Sequence, residues 1–186
     1  DFVKRFVEAF PSPLVLVDPV MGDYGRLYPS YDPETAVSMR ELLEFADVLT
    51  PNLTEACFLA NRPYDAALAH DEAALADLAA EIAAPHARAV VISGIPCSGS
   101  EFMNLVWERG RNVETLVTAR VGEDRSGTGD IFSSVILGRL MHGRTFASAV
   151  RDAAAFILRA VRRSAEMGIP LTDGLAFEEV LGDLAC

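Results

Sequence analysis

Two runs without a polar side chain, Leu14-Val15-Leu16-Val17 and Ala89-Val90-Val91-Ile92, constrain this chain more than any other feature. A strand with one wet face alternates apolar and polar residues. A run with no alternation suits a parallel strand covered on both faces. A third strand, 46–50, lies between them, and helical patterns fill the intervals. Strands alternating with helices specify a parallel sheet with helices on both sides. Residues 2–10 carry Phe2, Phe6, Val7 and Phe10 on one side of a helix, which Pro11 and Pro13 end. Residues 24–32 read as loop, and Pro33-Glu34 opens a helix that continues to Phe45. A further helix starts at Asn52. Residues 65–84, with Leu68, Leu75, Leu78 and Ile82 at helical spacing, form one covering helix before Pro85. Residues 102–108 and 113–121 are two strands around the hairpin turn Arg109-Gly110-Arg111-Asn112, followed by a polar loop at 122–125. Helices over 132–141, 146–163 and 175–184 complete the chain. No repeat, low-complexity tract or long linker divides it, so it is one domain or part of one.

In open α/β sheets, ligands sit beyond the carboxyl ends of the strands. Here those ends carry chemistry. The first is followed by Asp18-Pro19-Val20-Met21-Gly22-Asp23, the second by Thr50-Pro51-Asn52-Leu53-Thr54-Glu55, and the third by Ser93-Gly94. Asn52 and Glu55 share a helical face near an N-terminus. They could form a capping box, or Glu55 could hold a water of Mg²⁺, an ion that keeps several waters. The placement beside the Asp18 strand favours the metal. The densest signal is Ser126-Gly127-Thr128-Gly129-Asp130, which runs into an apolar helix. Two glycines allow a tight turn and close ligand approach. The helix start then offers unpaired N–H groups at the positive end of the macrodipole, which is a phosphate site. Asp130 repels a resting phosphate but can take a proton from a hydroxyl that attacks one. Donor nest plus base is the requirement for phosphoryl transfer to an alcohol. An Asp in the first turn is equally explained by capping and dipole effects.

Composition removes other classes. The chain has 186 residues and a formal charge of −11, with no basic stripe. That argues against nucleic acid and anionic membrane surfaces. It leaves a nucleotide open, because local donors and Mg²⁺ outweigh the net field. No apolar run reaches the length of a membrane span, and Asp1-Phe2-Val3-Lys4-Arg5 begins no signal peptide. Cys57, Cys97 and Cys186 are widely spaced, as are His70, His86 and His142, so neither disulfides nor a soft-metal site is expected. A reducing, cytoplasmic setting follows. Lys4 is the single lysine. It excludes a P-loop, which needs Gly-Lys-Ser/Thr, and a mid-chain Schiff base. Gly127-Thr128-Gly129 lacks the third glycine of a dinucleotide fingerprint.

The three motifs in this order resemble the ribokinase-like superfamily and, within it, the pyridoxal/pyridoxamine kinases of vitamin B6 salvage. The resemblance implies a three-layer α/β/α fold with a mostly parallel central sheet. It implies ATP-dependent phosphorylation of the 5′-hydroxymethyl group of pyridoxal, pyridoxine or pyridoxamine. Asp130 would be the catalytic base, and the amides of Gly127, Thr128 and Gly129 the anion hole. Asn52 and Glu55 would belong to the Mg²⁺ and phosphate network, and Asp18 and Asp23 would stand near the metal. Thr50 and Ser93 would line the nucleotide channel, and the segment from Thr118 to Val121 would border the adenine. ATP and Mg²⁺ are the implied cofactors, with a monovalent cation as a further candidate. Such kinases begin well before the Asp18 motif, so residues 1–186 are expected to be the C-terminal portion of a single kinase domain. The missing portion would hold most ring contacts and part of a homodimer interface. Hydroxymethylpyrimidine kinases share Asp-Pro-Val-Met and Thr-Pro-Asn. They typically carry Cys after Gly-Thr-Gly and lack the Gly-Asp after Met, so they are the alternative. A non-catalytic nucleotide- or vitamer-binding remnant is the other.

Overall fold

The computed structural model describes residues 2–97, 100–122 and 125–184. Cys186 and the Glu123-Asp124 part of the expected polar loop lie outside them. The chain divides into two compact units, Asp1–Cys97 with Met103–Leu116, and Ser98–Phe102 with Val117–Cys186.

The first unit opens with α1 (Phe2–Ala9), in which Phe2, Phe6 and Phe10 stack in a ladder on one side, as the spacing predicts. Strands β1 (Leu16–Val17), β4 (Val48–Leu49) and β5 (Ala89–Pro96) pair in parallel. Val90, Val91 and Ile92 of β5 are wholly buried, as a run without alternation requires. β1 is only half-buried, because it occupies the edge of the sheet. The order is β1-β4-β5-β6-β7, with β6 at Glu101–Glu108 and β7 at Glu114–Ala119. Neighbours β5 and β6 are joined by residues 97–100 alone. Parallel neighbours need a crossover of about a dozen residues or more, so β5, β6 and β7 form a meander. The sheet is therefore mixed, its parallel strands β1, β4 and β5 continued by the meander, within the expected α/β architecture.

Two stretches depart from expectation. Residues 24–32 are not simply loop: β2 (Gly22–Asp23) pairs antiparallel with β3 (Arg26–Leu27). Tyr24 and Gly25 both have positive φ, 49° and 77°, the signature of a type I′ hairpin turn. The hairpin closes so tightly that a Cβ on Gly22 would lie 2.2 Å from the Arg26 carbonyl oxygen. Gly22→Ala is therefore expected to destabilise the protein by about 1–3 kcal/mol, read as a lower urea midpoint at unchanged m-value. The 65–84 helix is broken. A 3₁₀ turn, Ala66–His70, precedes α4 (Glu72–Ala83), whose start is capped by Asp71 accepting from the Ala74 amide at 2.9 Å. Likewise α2 (Pro33–Arg40) passes into a 3₁₀ turn, Glu41–Glu44, before Phe45. At the far end of α4, Arg109 donates to the Ala83 carbonyl, an acceptor of the helix's last turn, at 2.8 Å and to the Ala87 carbonyl beyond it at 3.0 Å. The core joins Met21, Leu49, Leu75, Leu78, Ile82, Ile92, Ile95 and Leu105.

The second unit is helical. α5 (Thr128–Met141) and α6 (Phe146–Glu166) pack on each other. α6 buries Phe146, Ala149, Val150, Ala153, Phe156 and Ala160, one stripe at helical period. Its start is capped by Thr145, and it runs three residues past the expected end at Arg163. The expected last helix, 175–184, is a 3₁₀ segment, Phe177–Leu184, after a short turn at Leu171–Asp173. No helix among the described residues is long and apolar enough to cross a membrane.

Candidate functional site

In the first unit the strand ends and the hairpin are sewn together by side chains. β4 hands the chain to Asn52, the N-cap of α3 (Leu53–Leu59). The Asn52 side chain accepts from the Glu55 amide at 2.9 Å, and the Glu55 carboxylate accepts from the Asn52 amide at 2.8 Å. This is a complete capping box. The structural reading of the pair is thus realised. Glu55 does more than cap: its other oxygen accepts from the Met21 amide at 3.1 Å. Asn52 also donates to the Gly22 carbonyl at 2.8 Å, Thr54 accepts from the Gly25 amide at 2.9 Å, and Thr50 donates to Asp18 at 3.0 Å. Ser93 bridges Asn52, its amide donating to the Pro51 carbonyl at 2.9 Å. Six predicted residues, Asp18, Asp23, Thr50, Asn52, Glu55 and Ser93, therefore belong to one end of this unit. Asp23 stands apart in character. It is exposed, and its carboxylate accepts from the Tyr24 amide at 2.7 Å, bracing the turn.

Glu55 is 4% exposed. Burial pushes its carboxyl from 4.5 up to about 7; the Asn52 and Met21 amides pull it back down, and the charge of Asp18 raises it further. Desolvation wins because removing a carboxylate from water outweighs two amide hydrogen bonds. Among the described residues no three His, Cys, Asp or Glu side chains gather into a metal-binding group. Asp18, Asp23 and Glu55 are thus not an all-protein cage. Mg²⁺ is commonly held by one or two carboxylates, waters and substrate phosphates. The Asp18–Glu55 pair fits that mode, because its two oxygen-donor groups repel each other.

In the second unit, Gly127 is the N-cap of α5 with φ 80° and no side-chain cap. The first main-chain bond of the helix runs from the Ile131 amide to the Gly127 carbonyl at 3.1 Å. The amides of Thr128, Gly129 and Asp130 precede it, where a helix start leaves its N–H groups without an intrahelical partner, and they have no partner among the described residues. Cβ atoms at Gly127 or Gly129 would meet nothing within 4 Å among the described residues, so neither glycine is required by packing. Asp130 is exposed; its carbonyl accepts from Ser133 and Ser134 at 3.0 and 2.6 Å. Its residue also rims a cavity of about 560 Å³ lined chiefly by Val135, Phe156, Phe177 and Leu181. Val121 is half-buried in the segment between β7 and this loop.

Sequence reasoning missed three contributors. Met21 supplies a main-chain donor, for which no side-chain signal exists. Thr54 holds the hairpin through its hydroxyl, and its place one residue before Glu55 was the available signal. Arg125 precedes the glycines; its guanidinium donates to the carbonyls of Ile169, Pro170 and Gly174. Its position beside the motif was the available signal.

The donor loop with its adjacent carboxylate in one unit, and the acidic, amide-tied cluster in the other, are each of a kind that α/β proteins use toward phosphate. Residues 1–172 match the Phosphomethylpyrimidine kinase family, and the chain belongs to it. It is 36% identical over 152 residues to the hydroxymethylpyrimidine/phosphomethylpyrimidine kinase of Rhizobium meliloti, covering 78% of this chain and 53% of that protein. It is 27% identical over 176 residues to the pyridoxine/pyridoxal/pyridoxamine kinase of Bordetella bronchiseptica, covering 90% and 58%. A Bacteroides thetaiotaomicron protein of the phosphomethylpyrimidine kinase type, crystallised with pyridoxal, superposes with a TM-score of 0.89 at 32% identity, over 100% of this chain and 66% of that one. The chain thus spans little more than half the length of the curated relatives it matches. The α/β class read from the strand pattern is confirmed, and the kinase family with it. The B6-specific branch is one of two that the relatives represent.

Proposed function

We propose that the protein to which this chain belongs transfers the γ-phosphoryl group of ATP to a hydroxymethyl substituent of a six-membered nitrogen heterocycle, with a B6 vitamer as acceptor. The observation that carries this reading is the exposed Asp130 in the first turn of α5, directly after the open amides that follow Gly127. In the step, the hydroxyl oxygen forms a bond to the γ-phosphorus. The bond from that phosphorus to the β–γ bridging oxygen breaks, ADP leaves with its electron pair, and the hydroxyl proton passes to the Asp130 carboxylate. The amides of the loop hold the equatorial oxygens, whose charge peaks in the transition state. Bound Mg²⁺ would neutralise phosphate charge, and Asp18 and Glu55 are the carboxylates suited to hold it through water. Asn52 and Thr50 keep that pair in place by the bonds described above.

Pyridoxal bound in the Bacteroides protein, together with Asp rather than Cys after Gly127-Thr128-Gly129, favours the B6 vitamer. The 36% identity to a hydroxymethylpyrimidine kinase supports the second acceptor class. A coupled ADP-release assay on the full-length protein separates them. kcat/KM for pyridoxal should exceed that for hydroxymethylpyrimidine by about tenfold or more, the discrimination expected from one to two misplaced ring contacts. The reverse ratio moves the acceptor to the pyrimidine class. No turnover of either removes the kinase reading.

A further inference from the structure

Arg125 sits immediately before the donor loop, and its guanidinium is engaged by main-chain carbonyls of a later turn. Nη1 donates to the Pro170 and Gly174 carbonyls at 3.1 and 3.2 Å, and Nη2 to the Ile169 carbonyl at 3.0 Å. Three main-chain oxygens form a cup that the planar fork of an arginine fits. The cup itself is firmly built. α6 ends in a Schellman motif: the Ile169 amide donates to Ser164 at 3.0 Å and the Gly168 amide to Ala165 at 3.1 Å. Ser164, fully buried, donates its hydroxyl to the Ala160 carbonyl at 2.7 Å and accepts from the Ala176 amide at 2.8 Å. Gly174 has φ 80° and ψ −143°, a conformation essentially restricted to glycine. It turns its carbonyl into the cup at a point where a Cβ would lie 3.5 Å from the Ser126 carbonyl oxygen. The main chain of Arg125 is tied as well, its carbonyl accepting from the Thr128 hydroxyl at 2.6 Å. Arg125 thus fastens the loop twice, by its side chain to 169–174 and by its carbonyl to the first residue of α5.

We infer that Arg125, together with the 169–174 turn, is the positioning device of the phosphate loop. It holds the 127–129 amides in the orientation that stabilises the migrating phosphoryl group. The inference rests on the kinase reading for its consequence but not for its geometry. An oxyanion donor displaced from alignment loses its effect in the transition state before it loses ground-state binding.

The test uses Arg125→Ala, Arg125→Lys, Gly174→Ala and the Arg125→Ala/Gly174→Ala double variant of the full-length protein. kcat should fall by about 10–100-fold in Arg125→Ala and Gly174→Ala, with KM for ATP within about threefold of wild type. The double variant should be no slower than the worse single one, since both cut the same link. Lys, a point charge without the fork, should recover only part of the loss, and added guanidinium ion should partly restore Arg125→Ala. Values of kcat within threefold of wild type, or effects that multiply in the double variant, overturn the inference. Amide hydrogen exchange at 131–134 keeps the two readings separable. Faster exchange there in Arg125→Ala supports the fastening even if the wild type phosphorylates neither acceptor; unchanged exchange refutes it.

Discussion

Asp130→Asn in the full-length protein should lower kcat by about 10²–10⁴-fold while ATP still binds, as loss of a positioned general base does. The substitution is close to isosteric. It leaves the Asp130 carbonyl free to accept from Ser133 and Ser134, as it does now, so the first turn of α5 should persist. What disappears is the carboxylate of the first turn of that helix. Because a carboxylate beside the loop also repels phosphate, ATP affinity should hold or rise slightly when the charge is removed. The split distinguishes a base from a capping residue. A cap lost at an exposed helix start costs about 1 kcal/mol of stability and leaves chemistry intact. Turnover within a few-fold of wild type, at unchanged ATP affinity, would show that Asp130 serves the helix alone.

The second large effect is on stability. Burial moves the Glu55 carboxyl from 4.5 to about 7 in the folded state. A raised carboxyl means the folded protein holds the proton that the unfolded chain has already released. The stability slope with pH is therefore negative between these values. At about 1.4 kcal/mol for each pH unit separating them, the full effect is about 3 kcal/mol. Urea unfolding from pH 5 to pH 8 should show most of that loss in wild type. Glu55→Gln cannot ionise and should lack this component. At pH 5 it should be the weaker protein, because its amide nitrogen must face the Asn52 or the Met21 N–H, and a buried unmatched donor costs about 1–3 kcal/mol. The two curves should converge as pH rises; parallel curves would contradict the raised carboxyl. Millimolar Mg²⁺ offers an independent reading. A cation held by Asp18 and Glu55 lowers the carboxyl again and flattens the wild-type slope, while Glu55→Gln responds little and needs more Mg²⁺ for half-maximal turnover.

The legible parts of this fold were those with one dominant local cause. The run at 89–92 could only be a doubly covered strand, and the 146–163 stripe could only be a helix. The pairing of Asn52 with Glu55 was visible from spacing, but spacing cannot choose between a cap and a metal ligand. The choice depends on Met21, whose amide arrives from the segment just before β2, 34 residues away. The 22–27 hairpin escaped because Tyr24 is no turn former, and its positive φ is imposed by the pairing of Gly22 with Leu27 and Asp23 with Arg26. The break at Asp71 was missed because an unbroken alanine-rich pattern hid a cap. The meander was hidden in the short connector after Pro96, where length alone forbids a parallel neighbour. The partners of Arg125 escaped for another reason. Its three acceptors are carbonyls of a turn about 45 residues later, and carbonyls have no letter in the sequence.

The most direct measurement is a crystal structure of the full-length protein with ADP, aluminium fluoride and pyridoxal. The fluoride should lie on the 127–129 amides, with an Asp130 carboxylate oxygen about 2.6–3.2 Å from the acceptor hydroxyl. A planar fluoride seated elsewhere, or a different side chain against that hydroxyl, would contradict the role of Asp130 as base.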